Sequence, residues 1–157
     1  MQEIFILRHA HAGGNHKDDF SRKLTDEGKT KAKKLGLFFN KLEEHVDIIL
    51  SSPVLRAKET AEILIKNLDQ KPDLKIVDFL SCGSSVNDIA KGLIPFQSIN
   101  EIMLIGHAPD LEIFLGKLIG AKKVKLKKCA LAKVKLDNSF DLSGELEYLI
   151  TPKIVKN

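Results

Sequence analysis

The sequence predicts a three-layer α/β/α fold with a mostly parallel central sheet. Three short apolar runs, Ile4–Leu7, Ile48–Leu50 and Ile102–Ile105, are unbroken by polar residues. Such runs read as strands covered on both faces. Amphipathic helical stretches follow them in alternation, which is the signature of a parallel sheet with helices on its faces. Only the last part of the chain turns to a period of two. With 157 residues, one compact domain spanning 1–157 can bury a core without disulfides or metal.

The elements follow in order. After the first strand, residues 17–23 are polar and read as a loop. Thr25 is placed to cap a helix, with Asp26 and Glu27 in the first turn, where the helix dipole favours acids. Ala32, Leu35, Phe39, Leu42 and Val46, at spacings of three and four, mark its buried face. The second apolar run leads to Ser52 and Pro53, expected as N-cap and first-turn proline of a helix whose core face is Val54, Ala57, Ala61, Leu64 and Leu68. Leu74–Val77 predicts a third, shorter strand. Val86, Ile89, Ala90 and Leu93 predict a short helix that Pro95 stops. Ala108-Pro109 opens a helix carried by Leu111, Phe114, Leu115 and Leu118, closing near Gly120. Alternation at Ala130–Leu136 and at Glu145–Ile150 predicts an antiparallel pair around the turn-rich segment 137–144.

Composition narrows the function classes. The chain is 43% hydrophobic and 29% charged, ordinary for a soluble globular protein. No run is long enough for a membrane span, no signal segment is expected, and the cytoplasm is the expected location. Cys82 and Cys129 form no redox or metal motif and are expected to be reduced, packed residues. No spacing of histidines and carboxylates suggests a metal, and no cofactor is expected. The net charge of +4 is uneven, with Lys122, Lys123, Lys125, Lys127 and Lys128 crowded together. That run reads as a solvated face or as a docking surface for an acidic or phosphorylated partner. Aromatics that stack on bases are nearly absent beside it, which argues against nucleic acid.

In open α/β sheets, ligands bind beyond the carboxyl ends of the strands. The first apolar run ends in Arg8-His9, the second is followed by Ser51, Ser52 and Arg56, and the third ends in Gly106-His107. Two arginines, two histidines and two helix N-termini therefore converge on one rim. Arginine forks match phosphate geometry, and helix N-termini supply unpaired donors. A neutral histidine beside them can act as a nucleophile, and the arginines are expected to depress its pKa. The second histidine can donate a hydrogen bond to the transferring oxygens. Any one of these residues alone is more often structural; the case rests on four sharing one rim. Asn15 is a candidate donor to a phosphate oxygen, although Gly13-Gly14-Asn15 also reads as a plain turn. His11 is expected to face away from the pocket or to border it. Arg22 is expected either to reach the pocket or to pair with Asp19, and His45 to sit as a cation at a helix C-terminus.

The same residues carry a resemblance to a known family. Leu7-Arg8-His9-Ala10 resembles the Arg-His-Gly signature of the histidine phosphatase superfamily, with Ala10 in place of glycine. Residues 51–61 and Ile105-Gly106-His107-Ala108-Pro109 resemble its second and third blocks. Asp19–Gly28 and the ending Leu149–Lys153 are most similar to the short SixA-type phosphohistidine phosphatases. The resemblance implies the phosphoglycerate-mutase-like fold, His9 as nucleophile, and Arg8, Arg56 and His107 as the phosphate pocket.

One departure bears on the substrate. Larger members of the superfamily place a glutamate general acid after the third strand, where this chain reads Asp78-Phe79-Leu80-Ser81-Cys82-Gly83. Asp78, Asp18 and Asp19 are the candidate general acids. An alkoxide leaving group needs such a donor, whereas an imidazole has a second nitrogen of pKa roughly 6.5 and can leave already protonated. The short segment 78–101 leaves little room for a lid and predicts a shallow, open pocket suited to a protein surface. The expected substrate is therefore phosphohistidine on a protein, such as a histidine-phosphotransfer domain. The alternatives are a general small-molecule phosphomonoesterase of the same fold and a non-catalytic phosphoprotein-binding module. The sequence leaves the oligomeric state open.

Overall fold

A computed structural model describes residues 2–14, 18–138 and 141–155. Six strands form one sheet: β1 (Glu3–Arg8), β2 (Ile48–Ser51), β3 (Asp73–Ile76), β4 (Glu101–Gly106), β5 (Leu131–Leu136) and β6 (Gly144–Ile150), in the order β3-β2-β4-β1-β5-β6. The first four strands run parallel, β5 pairs antiparallel to β1, and β6 pairs antiparallel to β5. The helices are α1 (Asp26–Lys41), α2 (Leu55–Asn67), α3 (Val86–Leu93) and α4 (Asp110–Ile119).

The three layers follow from the pleat of the buried strands. On β1, Ile4 and Ile6 join one apolar cluster with Leu111, Phe114 and Leu115 of α4 and Ile89 of α3. Phe5 and Leu7 join the other with Leu35 and Phe39 of α1 and Ala57, Ala61 and Leu64 of α2. Strand side chains alternate faces with period two, so an unbroken apolar run supplies both cores at once. Phe5 and Phe39 meet edge to face, with ring centroids 5.3 Å apart.

Local signals place the helices. Thr25 Oγ1 accepts from Gly28 N at 3.1 Å and opens α1 as its composition predicts. Gly28 is required there, because a Cβ at this position would lie 2.1 Å from the His11 carbonyl oxygen. Ser85 and Asp88 form a reciprocal capping box on α3. Pro95 sits in a 3-10 turn, Ile94–Phe96, that follows α3 directly. Gly120 ends α4 with φ 70°, a left-handed position that glycine adopts without strain.

Two expectations about helix starts need correction. α2 begins at Leu55 rather than at Pro53. Ser52 Oγ accepts from Val54 N at 3.2 Å, ahead of the helix, and its second partner is a histidine of the site. α4 likewise begins at Asp110, one residue after Pro109. In both cases the residues between strand and helix form the rim that the site uses.

The far edge of the α1 face carries a buried ion cluster. Lys133 of β5 is 6% exposed. Its Nζ lies 2.7 Å from Glu44, 3.1 Å from Glu147 and 3.3 Å from Glu3. Tyr148 Oη adds a bond to Glu44 at 3.0 Å. The cluster ties β1, β5, β6 and the segment after α1 together.

Candidate active site

The carboxyl ends of β1, β2 and β4 bring Arg8, His9, Arg56 and His107 together. β1 pairs with β4 so that Arg8 stands opposite Gly106, and His9 N continues the ladder to Gly106 O at 3.0 Å. His107 follows at the end of β4, and the two imidazole centroids lie 5.2 Å apart. Arg56, in the first turn of α2, reaches over so that its Nε lies 3.3 Å from His9 Nε2.

The hydrogen bonds determine the protonation of His9. Its Nδ1 lies 2.7 Å from the Ala10 carbonyl oxygen, which can only accept. The Arg56 Nε–H can only donate, so His9 Nε2 presents a lone pair. His9 is thus the neutral tautomer with its proton on Nδ1. Burial pushes its pKa down to about 3, helped by His107, Arg56 and Arg8 and opposed by the Ala10 carbonyl. The arginines were expected to provide this depression; burial is the larger cause, and they reinforce it. Burial also lowers His107 to about 4, with Arg56 and Arg8 acting the same way and Asp19 opposing.

Two buried polar atoms of the site have no hydrogen-bond partner among the described residues, Arg8 Nε and His107 Nδ1. The rest of Arg8 is fixed by a bond from Nη1 to Leu126 O at 2.9 Å. His107 is fixed by its Nε2, 2.8 Å from Ser52 Oγ. Leaving a buried donor unpaired costs about 1–3 kcal/mol. The His9 Nε2 lone pair meets the Arg56 Nε–H at 3.3 Å, and an oxyanion that displaces this long contact would find the arginines and His107 beside a neutral imidazole. His9, Arg56 and His107 are 6%, 6% and 4% exposed, so the side chains that meet at the rim are themselves buried.

The carboxylates fall elsewhere. Asp19 accepts from Arg56 through its backbone oxygen at 2.8 Å and through Oδ2 at 3.1 Å, while Arg22 holds Oδ1 at 3.0 Å. Arg22 first, then Arg56, keep the Asp19 carboxyl below the ordinary carboxylate range. A carboxyl held charged is a poor proton donor, so Asp19 serves instead to orient the guanidinium. Asp18 is exposed and bonded to Ser21 Oγ at 2.7 Å. Asp78 is exposed at the start of a 3-10 turn, Asp78–Leu80. Asn15 lies outside the described residues. His11 turns to α1, its Nδ1 2.9 Å from Thr25 Oγ1. Arg22 pairs with Asp19, the second of its two expected positions. His45 lies beyond α1 and pairs with Asp47 at 2.9 Å instead of the helix C-terminus. His45, Asp47 and Glu101 bring ligand atoms within 4.8 Å of one another, at the opposite end of β2 and β4 from His9.

Ser52, expected on the rim as a helix cap, holds His107, as above. Two further residues were not anticipated at the site. Thr60 Oγ1 accepts from Ala10 N at 3.1 Å and donates to Arg56 O at 2.7 Å, joining the segment after β1 to α2. Its position four residues after Arg56 was the available signal. Cys82, expected to be packed, is exposed, with Sγ 3.5 Å from Arg56 Nη2. Cys129 is buried as expected, and its N donates to the Arg8 and His9 carbonyl oxygens at 3.0 and 3.1 Å.

Comparisons with known proteins agree with this geometry. Residues 4–80 match the Histidine phosphatase superfamily (branch 1). An uncharacterised protein of Picosynechococcus is 31% identical over 113 residues, 69% of this chain and 68% of that one. The structure of the protein histidine phosphatase SixA complexed with tungstate superposes with a TM-score of 0.90 at 23% identity, covering 99% of this chain and 100% of that one. A SixA-like structure from Agrobacterium tumefaciens gives 0.80 at 23% identity over 96% and 98% of the two chains. With the family match covering His9 and Arg56, and the SixA fold shared over nearly the whole length, the chain belongs to the histidine phosphatase superfamily.

Proposed function

We propose that this protein is a phosphatase that transfers a phosphoryl group onto His9 Nε2, and that its substrate is phosphohistidine on a protein. The observation that carries the reading is the neutral His9, whose Nε2 lone pair faces the Arg56 guanidinium, together with two buried polar atoms, Arg8 Nε and His107 Nδ1, that have no hydrogen-bond partner among the described residues.

In the first step the Nε2 lone pair attacks phosphorus in line while the P–N bond of the substrate breaks. The bonding electrons go to the leaving imidazole nitrogen, and the proton on its other nitrogen leaves the group neutral. Arg8, Arg56 and His107 hold the three oxygens, where charge must be balanced throughout the transfer. In the second step water attacks phosphorus, the bond to His9 breaks, and the proton of water passes to the released phosphate. His9 is regenerated in its original tautomer.

The substrate class is supported by what surrounds the site. Asp19 is held charged, while Asp18 and Asp78 are exposed, with Ser21 donating to Asp18. A phosphoramidate needs no external donor, whereas a serine or sugar phosphate does. The test is turnover of an autophosphorylated histidine-phosphotransfer domain beside phosphoserine and a sugar phosphate, with wild type and His9→Ala. The proposal expects phosphate release from the phosphoprotein to exceed that from the esters by at least tenfold, and to vanish in the variant. Equal or better turnover of the esters would make the protein a general phosphomonoesterase. Phosphoprotein binding without turnover of any substrate would make it a binding module.

A further inference from the structure

The lysine run is not spread over a random face; it is built against the nucleophile. Leu126 is fully buried, and its N donates to Glu112 Oε2 at 2.7 Å. Its carbonyl accepts from Arg8 at 2.9 Å. Cys129, also buried, is tied to the Arg8 and His9 carbonyls, and Ala130 O accepts from Arg8 N at 3.2 Å. These anchors pin the segment at both ends, so Lys125, Lys127 and Lys128 are presented from a fixed backbone beside β1.

These lysines line a groove of about 580 Å³ together with Arg8, Lys31 and Lys153. The other lining residues are Thr151 and Pro152, so no carboxylate is among the described residues that line it. Lys31 pairs with Glu27 at 2.9 Å, while Lys125, Lys127, Lys128 and Lys153 have no ion pair among the described residues. Arg8 is shared, with one end on the groove and its buried Nε in the phosphate site. Through Arg8 the groove therefore adjoins the place where the phosphoryl group is proposed to sit.

Unpaired like charges packed side by side repel one another, and they are relieved when an oppositely charged surface is brought against them. We infer that this groove docks a carboxylate-rich segment of the phosphoprotein substrate, lying beside its phosphorylated histidine. The inference rests on the proposed action on phosphoproteins and adds the chemistry by which one is chosen. A positively charged track leading to Arg8 raises the association rate with acidic partners and disfavours basic ones. A small phosphoester occupies only the phosphate site and gains nothing from the track.

The experiment has two arms. In the first, a fluorescent 15-residue peptide of aspartate and glutamate, without phosphate, is titrated into the wild-type protein, the triple variant Lys125→Glu, Lys127→Glu, Lys153→Glu, and a control triple variant Lys41→Glu, Lys66→Glu, Lys91→Glu of equal charge. Binding that weakens by roughly tenfold or more in the groove variant but not in the control supports docking, since steering by clustered charge is worth about 10- to 1,000-fold. Equal weakening in both variants, or no binding to wild type in low salt, overturns it. In the second, kcat/KM is measured for an acidic phosphohistidine protein. Docking predicts that the groove variant loses efficiency through KM, that the loss shrinks as salt rises, and that an aryl phosphate is turned over as before. A loss in kcat alone, or an equal loss with the aryl phosphate, contradicts it. If wild type binds the acidic peptide but does not hydrolyse phosphohistidine, the substrate reading fails while the groove stands.

Discussion

Arg56 Nε donates to His9 Nε2 across 3.3 Å, from the first turn of α2 to the residue that follows β1. A guanidinium has no acceptor and cannot lose its proton, so this contact and the Ala10 carbonyl on the other nitrogen leave one tautomer. The same Arg56 is clamped by both the backbone and the carboxylate of Asp19. Its orientation is thus set before any phosphate arrives.

Replacing Arg56 by lysine keeps the charge and removes the fork. A lysine cannot hold Asp19 and the phosphoryl oxygens at once, and it gives up the planar donor set. The account expects kcat/KM to fall by about 100-fold or more, in the range for loss of one transition-state donor. Steady-state kinetics on Arg56→Lys check this; a loss below threefold would remove Arg56 from the phosphate pocket.

Acid should destabilise the fold through two histidines. His9 titrates at about 3 and His107 at about 4 in the folded protein, against about 6.5 unfolded. Between those values the unfolded chain binds protons that the native state does not. Stability is therefore fully present above pH 6.5 and falls as pH drops toward 4, by up to about 1.4 kcal/mol per pH unit for each histidine. Denaturant unfolding of wild type, His9→Asn and His107→Asn at pH 5 and 7 measures it. Each variant should show a smaller pH 7 minus pH 5 difference than wild type.

Ser52 is a positioning residue. Its hydroxyl accepts from Val54 N and meets His107 Nε2 at 2.8 Å, so it can donate its own proton there and leave His107 Nδ1 as the N–H. Ser52→Ala frees that nitrogen and lets the other tautomer form. The expected result is a fall in kcat of about tenfold, with the nitrogen chemical shifts of His107 moving toward the opposite tautomer. Unchanged shifts beside lowered kcat would point to a packing effect instead.

Lys133 should carry stability and not catalysis. Removing it leaves Glu3, Glu44 and Glu147 facing one another with no cation between them. Lys133 is buried but its glutamates are 17–34% exposed, so losing the cation costs about 1–3 kcal/mol, less than for a fully buried pair. Lys133→Met should therefore lower the urea midpoint sharply while kcat at low temperature stays within twofold.

How much of this was readable from the chain depends on whether the determinants are local. The unbroken runs of β1, β2 and β4 announced buried parallel strands, and the residues after them, Arg8, His9, Arg56 and His107, met because the sheet aligns strand ends. The Thr25 cap was likewise written within three residues of its partner. Ser52 was misread as a helix cap because its decisive partner, His107, lies 55 residues away. The burial of His9, Arg56 and His107, the exposure of Cys82 against Arg56, and the setting of the lysine run on Leu126 and Cys129 depend on contacts between separate segments. No periodicity encodes those.

The central claim is that His9 becomes phosphorylated. The direct measurement is rapid-quench mass spectrometry after mixing excess enzyme with an autophosphorylated histidine-phosphotransfer domain, under alkaline conditions that preserve phosphohistidine. The account predicts a transient phosphoryl group on the peptide containing His9, formed as fast as the donor loses its own and absent in His9→Ala. Continued phosphate release by His9→Ala, or turnover by wild type with no label on that peptide, would contradict it.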